Sequence, residues 1–152
     1  MPPVIDYRRA FDFDLTPAEL WAALDDGAAF ERWWPWLRDF RIDGGGLRTG
    51  AVLHGVVVPP LPYRMRLDVE LLRVRRASLV DACVHGDLEG DARLVLRRAG
   101  AGTTAEVSWT LEMMQMPMRL ASRVAHPLLV RAHDAVVDMT VAGFRRRLAE
   151  GR

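Results

Sequence analysis

The chain has 152 residues, half of them apolar, and a formal charge of +1. A chain of this length buries ~70% of its unfolded surface, so a core forms without staples, and the one cysteine, Cys83, excludes an internal disulfide. The near-neutral balance argues against nucleic acid as a partner, and no apolar run reaches the ~18–20 residues of a membrane span.

The start, Met1-Pro2-Pro3, runs straight into an alternating stretch rather than a signal peptide, so the expectation is one soluble, cytoplasmic domain over residues 1–152. From Ile5 to Leu15 the odd positions are Ile5, Tyr7, Arg9, Phe11, Phe13 and Leu15. This period of two predicts a strand with one buried face, on which Arg9 is the exception. A buried Arg9 needs a carboxylate or a ligand anion; at a strand end it reaches water. Thr16-Pro17-Ala18-Glu19 predicts a helix start with a capping box, and the helix ends near Asp25-Asp26-Gly27. A second short helix is expected from about Ala28 to Trp34, stopped by Pro35.

Strand grammar then holds for about eighty residues. The expected strands are Trp36 to Ile42, Gly50 to Val58, Tyr63 to Val74, Leu79 to His85, Ala92 to Arg97 and Thr104 to Met114. A turn is expected at Gly86-Asp87-Leu88-Glu89-Gly90. Short turns imply antiparallel neighbours. Which face Ala51 to Val58 and Leu79 to His85 present is left open, since one bulge reverses it. A long helix follows from Pro117, interrupted or kinked at Pro127. At about 100° per residue, Arg131, Asp134, Asp138 and Arg145 form its wet stripe. Leu129, His133, Val136, Thr140 and Gly143 lie opposite.

This order predicts an α+β architecture in which a curved antiparallel sheet of about six to seven strands wraps a long C-terminal helix. A curved sheet gripping a helix does not close tightly at both ends, so a cavity between them is expected. All 21 basic residues are arginine, a composition that a GC-rich coding sequence explains. Without lysine, Schiff-base and phosphate-loop lysine chemistry is excluded.

Several segments carry a resemblance: Thr16-Pro17-Ala18-Glu19-Leu20-Trp21, Phe30-Glu31-Arg32-Trp33-Trp34-Pro35, Leu61-Pro62-Tyr63-Arg64-Met65-Arg66, Gly86 to Gly90, and Ala132-His133-Asp134. In this order they make the chain, over nearly its whole length, similar to the START-like (SRPBCC) superfamily with its helix-grip fold, and to its bacterial polyketide cyclase/dehydrase-like branch. The resemblance implies a deep apolar cavity for a small hydrophobic molecule. It implies no cofactor and sets no oligomeric state.

His133 is the leading candidate for a site residue, as a ligand contact, as a proton donor or acceptor in catalysis, or as a buried imidazole bonded within the core. Asp134 lies about 100° away on the wheel, so it is expected to pair with Arg131 rather than with His133. Tyr63, Met65 and Leu67, with Trp109, Leu111 and Met113, are either cavity walls from two strands or ordinary core. Leu129, Val136 and Thr140 would face them from the helix. The resemblance places Trp33, Trp34 and Trp36 at the cavity mouth, where they would guide an apolar ligand or touch a membrane surface, with Arg32 and Arg38 as the only basic flanks. Core anchoring of the short helices is the alternative for at least one of them. Met113, Met114, Met116 and Met118 fit a portal or core filler equally. His54, Cys83 and His85 lack further ligands, so no metal is expected.

Three readings follow: a protein that binds a small hydrophobic or aromatic ligand, with polyketide cyclase or dehydratase chemistry left open, a lipid or quinone carrier without chemistry, and a protein-interaction module. An enzyme needs two convergent ionisable groups in the cavity. A carrier needs an apolar cavity with one or two polar anchors, and an interaction module fills the cavity with its own side chains.

Overall fold

In the computed structural model, which describes residues 4–25, 34, 36–58, 64–114 and 116–150 (116–130, 132 and 150 by backbone alone), the first alternating segment is strand β1, Val4–Phe13. Helix α1, Pro17–Leu24, follows. Its capping box is complete: the Glu19 N–H donates to Thr16 Oγ1 at 3.2 Å, and the Thr16 N–H donates to Glu19 Oε1 at 3.0 Å. Pro17 occupies the first turn, where a missing N–H costs nothing. Leu20 and Trp21 bury against the sheet. The second helix expected near residues 28–34 lies outside the described residues, Trp34 excepted.

The remaining elements are β2 (Leu37–Asp43), β3 (Val52–Val57), β4 (Met65–Arg75), β5 (Leu79–Gly86), β6 (Leu88–Ala99), β7 (Gly102–Met113) and helix α2 (Met116–Glu150). The strands form one curved antiparallel sheet in the order β1-β7-β6-β5-β4-β3-β2, with β1 and β2 at its edges. The helix is continuous through Pro127, where an interruption or a kink was expected, so the chain is not interrupted there. Proline deletes one ladder bond, and the helical turns on both sides carry the chain across that gap.

The segment Gly86 to Gly90 is not a five-residue turn. Asp87 alone separates β5 from β6. Its carboxylate accepts the Arg66 N–H at 2.7 Å and its carbonyl accepts the Met114 N–H at 2.9 Å, tying β4 and the end of β7 to this corner. Gly90 serves close approach instead. At φ 152°, a Cβ there would lie 1.9 Å from the Thr110 carbonyl oxygen, so only glycine lets β6 pass β7 at this point.

Two bulges interrupt the ladders. One lies between Arg38 and Arg41 in β2, where Asp39 takes a φ of 51°. The other, between Leu71 and Arg73 in β4, lets both Leu71 and Val74 pack on the core although strict alternation would turn Val74 outward. In β5, Val80, Ala82 and Val84 point inward, which places Cys83 and His85 on the outer face. Buried side chains gather in two clusters. One surrounds α1 and Phe144; the other joins Val84, Leu88, Leu111 and Met113.

Candidate functional site

Between the inner face of the sheet and α2 lies a cavity of about 390 Å³. Its walls follow from strand parity. Met65 and Leu67 come from β4, and Trp109, Leu111 and Met113 come from β7. From α2 come His133, Val136 and Thr140, one helical face at a spacing of three and four residues. Trp34 and Trp36 complete the set. Ten of the expected site residues therefore meet around one space, while Tyr63 and the Leu129 side chain lie outside the described residues.

Sequence reasoning missed other walls. Ile5, Phe11 and Phe13 of β1 line the cavity, as do Leu20 and Leu24 of α1. The alternation of β1 was the available signal: the same odd positions that mark its buried face mark the lining. Val137, Val141 and Phe144 widen the contributing face of α2 by one residue per turn.

Three indoles border this apolar space, and their N–H groups differ in fate. Trp34 Nε1–H donates to the Thr140 carbonyl at 2.9 Å, fastening the segment before β2 to α2. Trp109 Nε1–H donates to His133 Nε2 at 2.9 Å. Among the described residues Trp36 Nε1–H is buried without a partner, its ring stacked on Trp34 with centroids 5.5 Å apart. Thr140 Oγ1 donates back to the Val136 carbonyl at 2.7 Å.

The Trp109 bond also decides the state of the imidazole. An indole N–H only donates, so His133 Nε2 accepts and the ring proton sits on Nδ1. That nitrogen lies 3.1 Å from Asp134 Oδ1. The expectation that Asp134 turns away and pairs with Arg131 is thus corrected: its short side chain bends along the helix flank and spans the angle between neighbouring positions. Tyr7 closes the remaining side, stacked on Trp109 at 4.7 Å and edge-on to His133 at 4.9 Å. Both imidazole nitrogens are engaged within the protein.

No family model and no curated protein sequence matches this chain. Its fold is widely shared nonetheless. A conserved protein from Geobacillus kaustophilus superposes with a TM-score of 0.77 at 10% identity, covering 96% of each chain. A START superfamily protein from Mycobacterium smegmatis gives 0.72 at 12% identity, covering 97% of this chain and 99% of that one. Ara h 8.0201 gives 0.64 at 15% identity, covering 95% of this chain and 99% of that one. The chain has the START-like helix-grip fold.

Outside the cavity of this helix-grip fold, polar side chains pair with one another. Arg9 resolves its exceptional position by reaching the surface, where it meets Asp138 of α2 at 3.1 Å. His54 Nδ1 lies against Asp68 and its Nε2 lies 2.8 Å from Asp43. The Asp68 contact first, and then Asp43, raise the His54 pKa above its ordinary value, against burial and the nearby Arg41 charge. His85 Nε2 stands 3.8 Å from Glu70 on the same outer face. Among the described residues, no three His, Cys, Asp or Glu side chains converge as a metal site. Nor is any described helix long and apolar enough to cross a membrane.

Proposed function

We propose that this chain is a cytoplasmic binding protein that encloses one small hydrophobic or aromatic molecule between its sheet and its long helix. The observation that carries the reading is the cavity itself. At about 390 Å³ it lies within the roughly 300–1,000 Å³ of small-molecule sites, and its described walls are almost wholly apolar. An interaction module of the same fold would fill this space with its own side chains.

Binding without chemistry fits the polar groups better than a polyketide cyclase or dehydratase does. Proton transfer requires a group free to exchange its proton with a ligand. His133 is held by Trp109 and Asp134, and the Thr140 hydroxyl donates to its own helix. The carrier reading therefore leads.

Native mass spectrometry of the purified protein tests this reading, together with thermal denaturation in the presence of small apolar compounds. The expected result is either a retained apolar molecule at one copy per chain or a raised melting temperature with saturable, one-to-one binding. A protein that retains nothing and is stabilised by none of them overturns the reading.

A further inference from the structure

The cavity has a thin side. Two of its wall residues, Phe11 of β1 and Val141 of α2, also line a groove on the protein surface. Each of these half-buried side chains therefore faces the cavity on one side and the groove on the other. The groove follows the seam where β1, an edge strand, meets α2. Ring contacts stitch this seam at two points: Tyr7 meets His133 with centroids 4.9 Å apart, and Phe13 meets Phe144 at 5.7 Å. Phe11 and Val141 lie between those points, beside the small, exposed Ala10 and Ala142.

Among the described residues no backbone hydrogen bond joins β1 to α2, so the backbone does not hold this seam shut. Two arginines span it instead. Arg9 donates to Asp138 at 3.1 Å, and Arg145 donates to the Asp12 carbonyl at 2.8 Å. Their guanidinium groups lie over the Phe11 and Phe13 rings, 5.3 Å and 5.1 Å from the centroids. Arg9 and Asp138 form an exposed pair, which slows opening by no more than about fivefold. Parting two strands of the sheet would instead break a run of ladder bonds at once. We propose that the guest enters and leaves between β1 and α2, that Phe11 and Val141 are the gate, and that the two arginine bridges are its latch. This rests on the cavity-binding reading above and adds the route of exchange and its control.

Stopped-flow mixing with N-phenyl-1-naphthylamine, an uncharged fluorophore that brightens in apolar surroundings, reads the exchange directly. A latch slows entry and exit alike. Asp138→Asn is therefore expected to raise both rate constants about two- to fivefold and to leave their ratio, the affinity, as it was. Adding Arg145→Gln is expected to bring the factor to about tenfold. Arg93→Gln, which breaks the pair with Asp81 away from the seam, leaves both rates at the wild-type value. The gap between Asp138→Asn and wild type is expected to close as ionic strength rises from about 0.01 M to about 1 M, because salt screens the exposed pair. Conversely, a chain carrying Arg9→Cys, Asp138→Cys and Cys83→Ser is expected to exchange the probe more slowly once a bismaleimide joins the two thiols across the seam. Rates unchanged by Asp138→Asn, or unchanged by the cross-link, put the route elsewhere on the cavity border. A faster exit without a faster entry makes Asp138 a support for the bound state instead. Each of these results overturns the gate and leaves cavity binding standing, whereas a probe that does not bind overturns both.

Discussion

His54 shows how one side chain on the outer face senses pH. Its contacts with Asp68 and Asp43 favour the imidazolium in the folded chain, so its folded pKa lies above the unfolded value of about 6.5. The stabilisation is therefore complete below that unfolded value and is lost as pH rises through the folded one. Melting temperatures recorded from about pH 5 to 9 are expected to fall toward alkaline pH more steeply for the wild type than for His54→Gln. Parallel curves would show that the two carboxylates do not stabilise the charged ring. Residue-scale detail of this kind was only partly legible in the sequence. Parity placed Trp109 inward and the wheel placed His133 opposite it, so their meeting follows from pattern. That Asp134 would turn back to His133 depends on a side-chain torsion, which no periodicity encodes. That the Trp36 indole N–H is buried without a partner among the described residues was equally invisible, because it depends on how side chains pack around it.

Among the elements, the crossing of β6 and β7 at Gly90 is the tightest constraint on the sheet. A methyl group there meets the Thr110 carbonyl oxygen at 1.9 Å, whereas at Gly100, with φ 60°, a Cβ finds nothing within 4 Å. Gly90→Ala is accordingly expected to lower unfolding free energy by about 2 kcal/mol or more, and Gly100→Ala by about 1 kcal/mol. Urea denaturation of the two variants checks the order, and a Gly90→Ala protein as stable as Gly100→Ala contradicts the close approach. Strand existence was readable from alternation, since β1, β4 and β7 each keep one apolar face over many residues. Their interruptions were not. Val74 falls on the polar side of strict alternation and returns to the core only through the bulge after Leu71, and the segment from Gly86 to Gly90 looks like a loop because glycine serves turns and close packing alike. The start of α1 was fully legible, since a capping box is local chemistry that needs no tertiary partner.

For the whole molecule, stability and occupancy are linked through the cavity. A guest at 100 times its dissociation constant adds about 2.7 kcal/mol to the folded state. Val137 is buried in α2 at the cavity wall, so Val137→Phe directs a larger ring into space that is otherwise open. The expected outcome is loss of the stabilisation that small apolar compounds give, with the unliganded melting temperature kept or raised, as measured by thermal denaturation with and without the compound. A variant that still gains the full increment would place the guest elsewhere. The architecture was legible from the order of elements because a bent sheet and one terminal rod have few ways to share a core; the volume left over was not, being the small difference between two large packed surfaces.

An open sheet of this kind ends in two rims, and each carries a device against unwanted growth. The kink at Asp39 breaks the regular ladder of β2, and β1 bears consecutive arginines, Arg8 and Arg9, one of them pinned to α2 through Asp138. Neither rim offers another chain a straight, uncharged template for strand addition. Borders of this kind disfavour the edge-to-edge pairing from which fibres grow.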